Sequence, residues 1–256
     1  MADEIRIDVP HSARVWNYWL GGKDNYPPDR AVGDAIAARY PEIMLVARAS
    51  RQFLIRAVTF LAAEAGIDQF LDIGTGLPTM QNTHEVAQSV NPAARVVYVD
   101  NDPLVLAHAR TLLVNTSDEG VTTYVHADVR KPYEIISDAR NVLNFERPIA
   151  VMLLGILGHA TPDFDRMRAV ITRLMAAVPA GSYLVLQDGT DTSDTARDSA
   201  KLNNYTLRSL DEFRQCFDGL ELVEPGLVTT LQWRPDPGST GTDEPIDSYC
   251  AAGRKP

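Results

Sequence analysis

Three carboxylates in this chain stand where apolar runs end and the backbone can turn. Asp72 is followed by Ile73-Gly74-Thr75-Gly76, Asp100 closes Arg95 to Val99, and Asp128-Val129 comes just after Val121 to His126. Glycines at 74 and 76 permit a tight turn and let a ligand approach the backbone closely. Thr75 lies between them. Asp100, 24 residues past Gly76 with Asn101 beside it, is placed to accept ribose hydroxyls. Asp128 suits the exocyclic amino group of an adenine, with Val129 supplying a backbone N–H. Asp72, two residues before the first glycine, would sit poorly beside a pyrophosphate and suits a ligand with a sulfonium and an ammonium.

The turn reads Gly74-Thr75-Gly76-Leu77-Pro78-Thr79. A dinucleotide site usually carries a third glycine where Thr79 stands, because the pyrophosphate rests on the helix that follows. A nicotinamide-dependent oxidoreductase is therefore the weaker alternative. A second group of residues could move a proton. His159, in the stretch from Gly155 that follows a fourth apolar run, is the leading general base by position and by its near-neutral ordinary pKa. The competing reading is a satisfied histidine beside the helix start at Thr161-Pro162. Tyr18 and Asp188 stand behind it, and His84 reads as structural. The five histidines do not pair at ligand spacing, so no metal site is expected.

These residues need elements to hold them. Gln69 to Ile73, Arg95 to Val99, Val121 to His126, Pro148 to Leu157 and Ser182 to Leu186 read as strands alternating with helices. The helices are predicted over Thr79 to Val90, after Asp102-Pro103 with Val105, Ala109, Leu112 and Leu113 inward, and after Thr161-Pro162. Alternation of this kind implies a mostly parallel sheet with right-handed crossovers. Ligands bind such a sheet outside the carboxyl ends of its strands, where the acids lie. Ser209 and Glu212 make a capping-box pattern for a further helix. Gly226 to Trp233 and Ile246 to Ala252 then read as an antiparallel hairpin. The predicted fold is α/β, a Rossmann-like doubly wound seven-stranded sheet that ends antiparallel.

Residues 1–66 lack a convincing strand and read as a helical cap or lid before a sheet domain at 67–256. Asp29 is a predicted cap for one helix, and a longer helix runs to about Ala65 with Gly66 as its stop. Tyr18, Gly21, Gly22, Lys23, Asp24 and Asn25 precede Pro27-Pro28. They read either as a tight turn that anchors the cap or, preferentially, as a lid whose backbone at Gly22 closes over a cofactor. Thr190 to Arg208 is polar, and is either a helix lining an acceptor pocket or a solvated crossover.

Composition narrows the function classes. Thirty-four acidic against 24 basic residues give a net charge of −10, which argues against nucleic acid and anionic membrane as partners. The longest apolar run, Ile149 to Leu157, falls far short of the roughly 20 residues needed to span a bilayer. Met1 to Pro10 is acidic without an apolar run, so no signal peptide is expected. Cys216 and Cys250 have no CxxC spacing and read as reduced thiols of a cytoplasmic protein. Nothing in the sequence specifies an oligomeric state.

Phe70-Leu71-Asp72-Ile73-Gly74-Thr75-Gly76 resembles the first motif of class I S-adenosylmethionine-dependent methyltransferases, and the later acids and terminal hairpin resemble the same superfamily. Arg14-Val15-Trp16-Asn17-Tyr18-Trp19-Leu20-Gly21-Gly22-Lys23-Asp24-Asn25-Tyr26 is similar to the opening signature of a bacterial subfamily of these enzymes. Arg51-Gln52-Phe53-Leu54, Tyr98 to Pro103 and Gly219 to Gly226 are similar as well, so the resemblance covers nearly the whole chain. It implies S-adenosylmethionine as cofactor, held around Gly74, Gly76, Asp100, Asn101, Asp128 and Val129, with Gly155 at the end of the fourth strand. By analogy it implies that Arg51 holds the methionine carboxylate, a task suited to an arginine fork. The expected activity is methyl transfer by in-line displacement to a small-molecule acceptor. A non-catalytic cofactor-binding protein is the remaining alternative.

Overall fold

The structure is a computed structural model that describes residues 6–78, 81–105, 107 and 115–256. Three helices come first: α1 (Ser12–Trp19), α2 (Pro27–Ala37) and α3 (Ile43–Ala63). Helix α2 starts before Asp29. Pro27-Pro28 fill its first turn, where a missing N–H costs nothing. Asp29 instead reaches back from the third helical position, its Oδ2 accepting from the Tyr26 N–H at 2.8 Å. Its Oδ1 accepts from the His11 N–H at 2.8 Å, which ties the start of α1 to the start of α2. Gly66 ends the α3 region with a φ of +69°, the left-handed conformation a glycine adopts freely.

The sheet strands are β1 (Gln69–Ile73), β2 (Arg95–Asp100), β3 (Val121–His126), β4 (Ala150–Leu154), β5 (Tyr183–Gly189), β6 (Glu221–Leu222), β7 (Val228–Thr229) and β8 (Ser248–Arg254). Their order is β3-β2-β1-β4-β5-β8-β6, with β7 also paired to β8. β1 to β5 run parallel and β8 is antiparallel to β5. The two predicted tail segments pair antiparallel, Val228 against Cys250 and Thr229 against Tyr249, but of the run Gly226 to Trp233 only Val228–Thr229 is strand. The extra strand is β6, whose two residues are exposed and carry no apolar pattern to read.

Side chains alternate across the strands, and both faces are covered. Leu71, Ile73, Val97 and Val99 pack on one face with α5 (Pro132–Ala139), α7 (Phe164–Ala177) and α9 (Leu210–Gln215), through Ile135, Ile171 and Phe213. Phe70, Val96 and Tyr98 pack on the other face with Phe53, Ala57 and Leu61 of α3 and Val86 of α4 (Thr83–Val90). Helix α3 is thus part of the sheet's own core, while α1 and α2 lie nearer the strand ends. The predicted start of α4 at Thr79 falls outside the described residues, as do Ala109, Leu112 and Leu113. Asp102 does cap the helix after β2, its Oδ1 accepting from the Leu104 N–H at 2.9 Å. A short helix α6 (Leu157–Ala160) follows β4, and α8 (Asp194–Ala200) follows β5.

Candidate active site

The strand order reverses between β1 and β4, and the crevice beyond their carboxyl ends holds a cavity of about 330 Å³. The glycine turn forms its floor. Gly74 and Gly76 have φ of +79° and +67°. A Cβ at Gly74 would come within 2.6 Å of the Ile156 side chain, so a larger residue cannot stand there unless Ile156 moves. Gly74 and Thr75 donate their N–H groups to the Val99 carbonyl, which stitches the turn to the end of β2. Gly155, at φ +74°, brings the end of β4 to the opposite side.

Alternation along β1 turns Asp72 toward α3 and α4. There it is buried, and its Oδ2 accepts from Thr83 Oγ1 at 2.6 Å. Burial pushes its carboxyl up to about 6, against the Thr83 bond and the positive charge of Arg51. Arg51 lines the same cavity and donates to Asn82 Oδ1 at 3.2 Å. Asp100 is buried and already well used. Its Oδ2 accepts from the Gly76 N–H at 2.7 Å, and its Oδ1 accepts from the N–H groups of Asn101 and Asp102 at 2.7 and 3.0 Å. A carboxylate has about four acceptor sites, so one, on Oδ2, remains for a ligand. Burial still pushes its pKa up. Asp128 is half-buried, and its hydrogen bonds with Arg130 hold its carboxyl below the usual range. Asn101, Asp128 and Val129 line the cavity together.

The roof is α1. His11, Ser12, Ala13, Trp16, Asn17 and Leu20 all face the cavity. Ala13 lies over the glycine turn, its Cβ 4.0 Å from where a Cβ on Gly76 would sit. Helix α1 is fastened by a buried pair, Arg14 Nε to Asp102 Oδ2 at 3.2 Å, while Arg14 Nη1 donates to the Arg6 carbonyl. His11 Nδ1 stands 3.1 Å from the same Asp102 oxygen. Tyr18 and Gly22 are not brought to the cavity. Tyr18 lies two residues from Trp16, on another face of α1, and its hydroxyl donates to Asp34 at 2.7 Å. Gly22 packs against Asn17, whose Oδ1 accepts from the Asp24 N–H and from Asn25 Nδ2. The Gly-Gly-Lys-Asp-Asn segment is therefore a turn that fixes Asn17.

A second cavity of about 100 Å³ adjoins the first, and Ser12, Trp16, Gly155, His159 and Gln187 line both. His159 sits on α6 with its ring edge-on to Tyr205, centroids 4.7 Å apart. Burial pulls its pKa down to about 4, so the ring is neutral at pH 7. Gln187 Nε2 donates to Ser248 Oγ at 2.9 Å, which fixes the amide. Asp188 faces neither cavity. Its oxygens accept the N–H groups of Gly158 and Gly189, and burial pushes its carboxyl up to about 7. Ala196, Ser199 and Ala200 of α8, with Asn203, Tyr205 and Leu207, form the outer wall, so Thr190 to Arg208 does line a pocket.

The whole chain, residues 1–256, matches the family model for S-adenosyl methyltransferases. The chain belongs to this family. S-Adenosylmethionine is the methyltransferase's cofactor. A solved DUF574 family protein from Streptomyces avermitilis MA-4680 is 42% identical with a TM-score of 0.91, over 98% of this chain and 100% of that one. A candidate methyltransferase from Thermobifida fusca YX is also 42% identical, with a TM-score of 0.90 over 97% of both chains. The N-methyltransferase NodS from Bradyrhizobium japonicum WM9, solved with S-adenosylhomocysteine, shares the fold at 17% identity and a TM-score of 0.50, over 81% of this chain and 85% of that one. No curated protein matches the sequence.

The motif-based reading of the methyltransferase missed Ser50, Thr83 and the inward face of α1. Ser50 is buried on α3 beside Arg51, lines the larger cavity, and its hydroxyl has no partner among the described residues. An orphaned hydroxyl facing a ligand cavity is the kind of group a bound ligand satisfies. A serine amid the apolar face of a long helix gives no such signal in sequence. Among the described residues no three His, Cys, Asp or Glu side chains gather as a metal site, and no helix is long and apolar enough to cross a membrane.

Proposed function

We propose that this methyltransferase moves the methyl group of S-adenosylmethionine to a small-molecule acceptor held in the smaller cavity. The observation that carries this reading is the junction itself. The two cavities meet at Trp16, Gly155, His159 and Gln187, as an in-line displacement between two bound partners requires. When bound, the cofactor supplies a methyl group made electrophilic by its sulfonium.

The residues of the larger cavity fit that cofactor. The open acceptor site on Asp100 takes a ribose hydroxyl, with Asn101 beside it. Asp128 accepts from the adenine amino group and Val129 donates its N–H. Arg51 and Ser50 hold the methionine carboxylate, and the buried Asp72 faces the ammonium. Gly74, Thr75, Gly76 and Gly155 let the backbone come close. Within residues 1–66, helices α1 and α2 serve as the cap while α3 belongs to the sheet's core, and α1 excludes water from the junction. His159, its ring neutral and without a hydrogen bond to any described residue, takes the acceptor's proton on a ring nitrogen as the methyl arrives. Gln187, fixed by Ser248, orients the acceptor. The buried, unbridged Cys216 and Cys250 suit a reducing cytoplasm.

Calorimetry with S-adenosylmethionine and, as control, NAD tests the cofactor assignment; saturable binding of the first alone is expected. Turnover of labelled methyl donor over a panel of small metabolites tests catalysis. Cofactor binding with no transfer to any of them would favour a non-catalytic binding protein.

A further inference from the structure

We infer that the smaller cavity takes a single-ring aromatic acceptor that is not an anion, with a polar ring substituent hydrogen-bonded to Ser199. This rests on the proposed methyl-transfer reading and names its substrate class. Size comes first. A cavity of about 150 Å³ lined by apolar side chains holds benzene, and this one measures about 100 Å³, so a ring is held only with one edge extending through the opening into the larger cavity. One six-membered ring fits, with its reactive edge directed through the opening at His159. A fused polycycle does not.

The walls choose a flat, apolar body. Trp16 and Trp19 meet edge to face, with centroids 5.6 Å apart and planes at 69°. Tyr40 and Tyr205 face the same space, and Ile36 and Ala196 complete it. Aromatic rings prefer such edge-to-face and offset partners. The walls also exclude an anion. Among the described residues no lysine or arginine lines this cavity, so an anion would be buried without a counter-charge. Its one carboxylate, Asp247, is engaged at its rim. Thr192 Oγ1 donates to Oδ1, and Ser193 Oγ donates to Oδ2 at 2.7 Å. Those two bonds leave about two of its acceptor sites open, so the rim tolerates a cation and repels an anion.

One polar group is left over. Ser199 is buried on α8, lines the cavity, and its hydroxyl has no hydrogen-bond partner among the described residues. A serine inside a helix can return its hydroxyl to the carbonyl four residues back, and Ser199 does not. The hydroxyl is therefore available to a substituent on the bound ring.

Resorcinol is a suitable probe, because it offers one hydroxyl to the junction and one to Ser199. The full chain is saturated with S-adenosylhomocysteine and resorcinol binding is read by tryptophan fluorescence, which Trp16 and Trp19 report. Saturable quenching by resorcinol is expected, with 1,3-cyclohexanediol and benzoate at least tenfold weaker. Ser199→Ala should weaken resorcinol roughly two- to tenfold, the range for one neutral hydrogen bond, and leave S-adenosylhomocysteine affinity intact. Ala196→Phe, which fills the cavity, should abolish resorcinol binding with the same cofactor affinity. Equal binding of benzoate or the cyclohexanediol overturns the inference, as does an unchanged affinity in Ser199→Ala. Should S-adenosylhomocysteine itself not bind, the cofactor reading fails separately. The same resorcinol titration on the chain alone then decides the aromatic site.

Discussion

At the scale of single residues, burial sets the electrostatics of the site, and hydrogen bonds decide what each group has left to offer. Asp100 shows this most clearly. Three backbone N–H groups already point at its carboxylate, so it serves the turn and the ligand together. Asp100→Asn should therefore weaken S-adenosylmethionine binding by about 1–3 kcal/mol, the scale for hydrogen bonds to a charged group, as read by calorimetry. An unchanged affinity would remove its ribose role. His159 carries a pH signature. Its pKa falls from an ordinary 6.5 to about 4 on folding, so between those values the unfolded chain binds the extra proton. Its contribution to stability is complete above pH 6.5 and is lost as pH falls toward 4. Asp72 and Asp188 run the other way, raised to about 6 and about 7, and lose stability as pH rises from about 4. Comparing His159→Gln with the parent chain cancels them. Urea denaturation should show the variant gaining on the parent by on the order of 2 kcal/mol between pH 7 and pH 4.

At the scale of elements, α1 is the one on which both cavities depend. It roofs the larger cavity, borders the smaller one, and is held by Arg14 on a wholly buried Asp102. Breaking a buried pair from one side leaves an uncompensated charge, at a cost of about 3–5 kcal/mol when the element stays in place. A peripheral helix can instead swing away and let water reach Asp102. Arg14→Ala should thus speed hydrogen exchange in the α1 amides while exchange in β1 and β2 is unchanged, and it should lower S-adenosylhomocysteine affinity. Equal protection of α1 in variant and parent would show that other contacts hold the roof. Asn17 and the turn at Gly21-Gly22 serve the same helix, because that turn's hydrogen bonds end on Asn17.

At the scale of the whole molecule, the tail and the first helices share one core. Trp233 is fully buried and meets Phe53 and Phe60 of α3 edge to face, with centroids 5.3 and 5.9 Å apart. Arg56 of α3 donates to the carbonyls of Trp233 and Thr230. Residues 177 positions apart are thereby joined across the sheet. Trp233→Ala should cost about 3–5 kcal/mol and keep a single urea transition, since α3 and the strands unfold together. Two resolved transitions would mean that the N-terminal helices fold apart from the sheet.

The sequence by itself determined the strand ends and the acids on them. Those signals are local: a run of apolar residues, a glycine pair, and an acid at the turn need only the period of a strand and the freedom of glycine. The cofactor was legible for the same reason. Only the tertiary structure decided that α1, rather than the Gly21-Gly22 turn, roofs the cavity. That depends on an ion pair between residues 88 positions apart, and on which face of a short helix turns inward. It also decided that Asp100 keeps one open acceptor site, that Ser50 and Ser199 are left without partners among the described residues, and that Tyr18 faces away. Each of these is fixed by neighbours distant in sequence, since a buried polar group's role follows from what surrounds it in space.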